Sequence, residues 1–181
     1  RISYEEEKRG CLFGWLQAAA LPGDLPYRLI LNDDVQVADG LEDYLSAAAL
    51  LLVQDGAVCL NLYAPRRKAV AAEYERGLFK LMPMTPWRWH AGAVHNTEVL
   101  RMVAEEYAEC SADPYYCSVE GRHDDVFVDL FLRKYKLRGA LHLPGLVQHV
   151  VEGVPSTVGH AGSVSRTSPY YECGALKGLT E

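Results

Sequence analysis

Alternating helical and strand patterns predict an α/β fold, a mainly parallel sheet flanked by helices. Three observations carry this reading. Apolar residues recur at helical spacing before Pro22-Gly23 and again from Leu41 to Leu52. Short apolar runs, Tyr27 to Leu31 and Ala57 to Tyr63, follow those two patterns. With 181 residues, 49% of them hydrophobic and 23% charged, the chain has material for one substantial core. Residues 1–160 are expected to form a single domain and residues 161–181 an irregular tail.

Each element has its local reasons. From Tyr4 to Ala20, the side chains of Cys11, Leu12, Trp15, Leu16 and Ala19 share one helical face, and Pro22-Gly23 ends the pattern. Tyr27 to Leu31 is bounded by Pro26 and by Asn32-Asp33-Asp34, as a buried parallel strand would be. Asp39-Gly40-Leu41-Glu42 has the form of a capping box, with Asp39 accepting from first-turn amides and Glu42 reaching back. The helix it opens turns Leu41, Leu45, Ala48, Ala49 and Leu52 inward, and Gln54-Asp55-Gly56 breaks it before the strand Ala57 to Tyr63.

The middle of the chain is less regular. From Ala64 to Pro86 a charged stretch with Pro65, Pro83 and Pro86 predicts an excursion over the sheet without long regular structure. Trp89 to Val94 reads as a strand, and Asn96 as the cap of a helix with Val99, Val103, Tyr107 and Cys110 on one face. "HDDVFVDLFLRKY" opens a further helix on an acidic pair, and a strand from Ala140 to Leu143 precedes "LPGLVQHVVEGVPSTVGH". From Ala161 onward Gly, Ser and Tyr follow no period, which predicts a surface strap or partial disorder.

Charge and composition exclude several classes. A net charge of -6 and a pI near 5.5 give no general footprint for a polyanion, so broad nucleic-acid binding is disfavoured. Arg66, Arg67 and Lys68 form a basic cluster that would clamp phosphate, but a solvated face is the more usual explanation of such a run. The longest apolar runs, such as Ala47 to Val53, fall short of the roughly 20 residues of a membrane span. Five cysteines without C-x-x-C spacing suit reduced thiols and a cytoplasmic setting better than a disulfide framework or a zinc ribbon.

In open α/β sheets the ligand crevice lies beyond the carboxyl ends of the strands, where Asn32, Asp33 and Asp34 fall. On an extended backbone Asn32 and Asp34 point the same way and would share one hard cation or its water shell. Asx residues are also the default at strand exits, so this turn alone is a weak signal. His123-Asp124-Asp125 stands at a helix start, where one carboxylate serves as a cap and the second is left to act as a general base. His149, near Val147 and Val150, is by itself more often a hydrogen-bonded core residue than a ligand. Trp87 and Trp89 would either stack on a sugar ring or fill the core, and Gly92 would admit a ligand or kink a strand. A metal bound by Asp34 and His149 would offset the charge of a diphosphate leaving group, while Asp125 took a proton from an incoming hydroxyl. A metal-dependent phosphoesterase or nucleotidyl hydrolase would gather the same residue types, and a non-catalytic sugar or nucleotide binding module would use the same turn.

The ordered set resembles GT-A-fold glycosyltransferases. "YRLILNDDVQV" is similar to the strand and D-x-D turn of that family, with Asn32 where the first acid usually stands. "WRWHAGAVHNTEVLRMV" resembles its central strand and following helix, and "HDDVFVDLFLRKY" its x-E-D motif. "LVQHVVEGVPST" resembles the late segment in which some members place a metal-binding His and a Ser or Thr near the diphosphate. The resemblance implies transfer of a sugar from a nucleotide-diphosphate donor to a hydroxyl-bearing acceptor, with inversion and a divalent cation, Mn2+ or Mg2+. It implies Asp125 as base with Asp124 beside it. Asp34, His149 and Asn32 would face the metal, and Asp33, Asp34, Ser156 and Thr157 the donor. The family begins with a strand, helix and strand that bind the nucleotide base. Only one helix precedes the N-D-D turn here, so an amino-terminally incomplete catalytic domain is expected.

Overall fold

The structure, a computed structural model, describes residues 11–32, 34–64, 68–74, 80–84, 91–110, 124–150 and 170–176. Its first helix, α1 (Cys11–Ala20), leads to β1 (Tyr27–Leu31), a short β2 (Val35–Val37), α2 (Leu41–Asp55) and β3 (Cys59–Asn61). There follow α3 (Lys68–Tyr74), β4 (Lys80–Met84), β5 (Gly92–Asn96), α4 (Thr97–Cys110), α5 (Asp124–Lys134), β6 (Gly139–Leu143) and β7 (Val147–His149). Five strands form one sheet in the order β1-β5-β3-β6-β4, and β2 pairs with β7 in a separate ribbon.

The α/β class is as expected, but the sheet is mixed rather than mainly parallel. β5 runs against both β1 and β3, and β4 runs against β6; among the described strands of this sheet only β3 and β6 pair in parallel. The reason is topological. β3 and β5 are not joined by a simple crossover helix: the chain leaves the carboxyl end of β3 and comes back to the same end of the sheet, so β5 must run in the reverse direction. β1, β3 and β6 nevertheless point the same way, since each of the first two opposes β5 and the third parallels β3. Their carboxyl ends therefore share one edge.

Alternation along the strands divides the core into two layers. Ile30, Cys59, Ala93 and Leu141 face α1, α4 and α5, packing with Trp15, Leu100, Val103, Phe127 and Phe131. Leu29, Leu60, Val94 and Ala140 face α2, packing with Tyr44, Ala48 and Leu52. β3 and β6 are buried throughout, as strands covered on both sides must be. β4 carries Pro83 opposite Ala140, which an edge strand tolerates because its outer amides have no partner strand.

Several ends differ from expectation for identifiable reasons. Asn96 caps α4 as predicted, its Oδ1 accepting from the amides of Glu98 at 3.0 Å and Val99 at 3.2 Å. Asp39 does not cap α2. Gly40 occupies that place in the left-handed region, φ 79°, with no side-chain cap, and the Asp39 amide donates instead to the Cys173 carbonyl at 2.8 Å. The inward face of α2 consists of Leu41, Tyr44, Ala48 and Leu52, while Leu45 and Ala49 are half-buried. The tail is no loose strap over residues 170–176: Leu176 is buried in the α2 layer.

The α1 carboxyl end is closed by a side chain from the first strand. The Arg28 guanidinium donates to the carbonyls of Ala18 at 2.9 Å, Ala19 at 2.6 Å and Leu21. These are orphan acceptors of a helix end, and a cation there also complements the dipole. Arg28→Ala is expected to lower the unfolding free energy by about 2 kcal/mol, read as a shifted urea midpoint with an unchanged slope.

A second fixed point lies beneath the α2 layer. His142 is fully buried; its Nδ1–H donates to the Pro144 carbonyl at 2.8 Å, and its Nε2 accepts from the Tyr44 hydroxyl at 3.0 Å. Burial pushes the imidazole down to about 4, against the partial support of the Pro144 carbonyl. Between about pH 6.5 and 4 the unfolded chain therefore binds the extra proton, so acidification favours unfolding. From pH 7 to 4 this group alone is expected to remove on the order of 3 kcal/mol of stability. Urea unfolding across that range checks it: His142→Phe should flatten the slope.

Candidate functional site

The shared carboxyl edge of β1, β3 and β6 is where the candidate residues gather. The Asn32 amide donates to the Ala91 carbonyl at 2.9 Å, carrying the β1–β5 ladder one step past the strand before the chain turns into β2. On the opposite side of the edge, β6 passes through Gly145 and Leu146 into β7. Both Leu146 and Val147 donate to the Leu62 carbonyl, at 2.8 Å and 3.1 Å, so the new strand is anchored on the exit of β3.

β2 and β7 then pair antiparallel with Val35 opposite His149, and the Val150 amide donates to the Asp34 carbonyl at 2.8 Å. Backbone pairing thus brings together two residues 115 positions apart. His149 Nδ1 lies 3.3 Å from Asp34 Oδ1, with side chains only 17% and 20% exposed. The edge of the Tyr63 system closes one side: its ring centroid is 5.4 Å from that of His149 at an interplanar angle of 70°. Tyr63 is itself fixed where β3 ends, because its amide donates to Asn61 Oδ1 at 2.9 Å in an Asx turn.

This geometry admits two chemistries. The imidazole Nδ1–H donates to the carboxylate in a loose pair, or both atoms turn to one cation. In the second case the carboxylate and the imidazole would be the protein's share of a divalent cation's ligands. Among the described residues no group of three or more His, Cys, Asp or Glu assembles around a metal position. Water and diphosphate oxygens would complete such a shell, as Mg2+-type sites usually require.

Asp124 and Asp125 occupy the first turn of α5, half-buried, with Arg133 and Lys134 in its last turn; both ends complement the helix dipole. α5 is held in the first layer by Phe127, Val128, Phe131 and Leu132. Its far end is locked to α4: the Glu106 carboxylate accepts from Lys134 Nζ at 2.5 Å and from the Tyr135 hydroxyl at 2.9 Å. The tight connection 135–138 reverses the chain into β6, so the acidic first turn of α5 is directed toward the edge to which β6 points. The direct contact on that edge joins Asp34 and His149, whereas α5 packs in the other layer of the core, through Phe127, Val128, Phe131 and Leu132.

Asp33, His123, Ser156 and Thr157 lie outside the described residues, as do Trp87, Trp89 and the pair Arg66 and Arg67. Asn32 stands half-buried at the strand exit. Gly92 has a structural purpose: a Cβ there would come within 2.5 Å of Leu31 Cδ2 and 3.3 Å of Val147 Cγ2, so its bareness lets β7 settle over β5. Sequence patterning did not single out Tyr63 or Gly145, which have no motif of their own. The only signal for Tyr63 is its position just past a buried strand.

Among the described residues no helix is long and apolar enough to cross a membrane. Compared with known proteins, the chain matches no protein-family model and no curated sequence.

Proposed function

We propose that this chain is a glycosyltransferase domain that moves a sugar from a nucleotide-diphosphate donor to an acceptor hydroxyl with inversion, dependent on a divalent cation. The observation that carries the reading is the meeting of Asp34 and His149 across 115 positions, at the edge toward which the acidic start of α5 is directed. A carboxylate with an imidazole suits Mn2+ better than the harder Mg2+, and such a cation would neutralise charge on the diphosphate leaving group. Asp34 and His149 would orient that group, with Asn32 at the strand exit beside them. Asp125 takes the proton as the acceptor oxygen bonds to the anomeric carbon and the bond to the diphosphate breaks, the electron pair leaving with the diphosphate. Asp124 keeps the first turn of α5 negative, and Ser156 with Thr157 would donate to the diphosphate. The chain's acidic character suits a small anionic donor presented with its cation better than a nucleic acid.

Product analysis tests this assignment. The chain is incubated with Mn2+ and a panel of nucleotide sugars, with and without a mixture of hydroxyl acceptors. The expected result is an acceptor carrying a new sugar of inverted anomeric configuration, together with free nucleoside diphosphate. Release of inorganic phosphate or nucleoside monophosphate, equal with and without acceptor, would instead assign a phosphoester hydrolase.

A further inference from the structure

The ribbon that carries the site cannot stand alone. β2 and β7 are three residues each, and two strands of that length do not hold together in water. On the sheet side it rests on Val147, buried over Gly92. On its other flank it meets the segment Tyr170–Leu176. The Gly145 amide donates to the Tyr170 carbonyl at 2.8 Å, and the Glu172 amide returns to the Gly145 carbonyl at 3.3 Å. The Tyr171 hydroxyl donates to the Val37 carbonyl at 3.1 Å, on β2 itself.

Further along, the Asp39 amide donates to the Cys173 carbonyl at 2.8 Å, and Leu176 is buried among Ala38, Leu41 and Val147. Glu172 accepts from the Tyr74 hydroxyl on α3 at 2.5 Å, so the segment also ties the ribbon to the excursion after β3. Gly145 makes the approach possible. A Cβ there would stand 3.1 Å from Ala64 Cβ and 3.2 Å from the Ala64 amide nitrogen, and 3.5 Å from the Tyr170 carbonyl.

We infer that Tyr170–Leu176 is the positioning element of the Asp34–His149 site, with Tyr171 and Leu176 holding the ribbon in the register that sets the carboxylate against the imidazole. What the site binds rests on the function proposed above; the positioning itself is a property of the chain without ligand. Tyr171 grips β2 at Val37, its last residue and three positions after Asp34, and Leu176 fills the layer beneath the β2–α2 connection. Undocking the segment is expected to loosen the ribbon while the five-stranded sheet stays paired.

The test uses the full chain and two readouts: affinity for Mn2+ alone, by electron paramagnetic resonance, and the 15N resonances of the His149 ring without metal. Leu176→Ala is compared with Leu52→Ala, a residue of equal burial in the same layer on α2. Leu176→Ala is expected to weaken Mn2+ binding at least ~10-fold and to move the His149 Nδ1 resonance to its position in Asp34→Ala, while Leu52→Ala leaves both within ~2-fold and unshifted. Leu176→Met should restore both. Identical behaviour of Leu176→Ala and Leu52→Ala would overturn the inference. If Leu176→Ala fails to fold, Tyr171→Phe, which loses a single hydroxyl, decides by the same readouts: a shifted His149 resonance supports the positioning and an unshifted one rejects it. Absence of Mn2+ affinity in the unmodified chain would count against the proposed function, and the His149 resonances would still decide the positioning.

Discussion

Asp125→Asn is expected to lower kcat by ~10²–10⁴-fold while leaving KM for the donor within ~2-fold. The amide keeps the shape of the carboxylate and cannot accept the acceptor's proton, so only the step that breaks the hydroxyl bond suffers. The fold is expected to tolerate the change. α5 is held by Phe127, Val128, Phe131 and Leu132, and the lost charge at its first turn costs at most about 1 kcal/mol. The same substitution at Asp124, which only keeps that turn negative, should reduce kcat far less. Steady-state kinetics on both variants, with circular dichroism as a folding control, would show the assignment wrong if Asp125→Asn retained full turnover.

Asp34→Ala and His149→Ala are each expected to abolish Mn2+-dependent turnover by at least ~10²-fold, and the double substitution should be no worse than the worse single one. Both side chains would serve one bound group. Removing either leaves a donor set that no longer fixes it, and removing the second has little left to lose. Their effect on folding should be small. The pair is a single hydrogen bond of 3.3 Å, and such a bond contributes about 1 kcal/mol. Additive losses in kinetics would mean that the two residues act separately.

How far the sequence revealed this molecule depends on whether the determining physics was local. Asn96 was legible as a cap because the interaction spans only the next turn, and Leu12, Trp15 and Leu16 were legible as a buried face because helical spacing alone places them together. Asp39 was misread for the opposite reason. Its local pattern is that of a cap, but its amide is taken by Cys173, 134 positions away in the chain, and Gly40 supplies the left-handed entry. The direction of β5 was hidden too, since an apolar run looks the same whether its neighbours run with it or against it. Pro83 argued against a strand that exists, because edge pairing tolerates what a central strand would not.

The site shows the same division. The acidic turn after β1 and the imidazole on β7 were chosen by chemistry and strand position, and the ribbon brings them together. The ring of Tyr63 and the docking of Leu176 follow from how layers stack, which no spacing rule encodes. Residues 170–176 carry no period because each is anchored to a different element: Tyr170 to Gly145, Tyr171 to Val37, Cys173 to Asp39.

On the function proposed above, Asp34 and His149 jointly bind a divalent cation with a nucleoside diphosphate. Thermal unfolding with Mn2+ and a panel of nucleoside diphosphates tests it most directly, because ligands that bind only the folded state raise its stability, by about 2.7 kcal/mol at a hundredfold excess over Kd. The expected result is a rise in Tm for at least one nucleotide that requires Mn2+ and disappears in both Asp34→Ala and His149→Ala. A rise of the same size in those two variants, or no rise with any nucleotide, would contradict it.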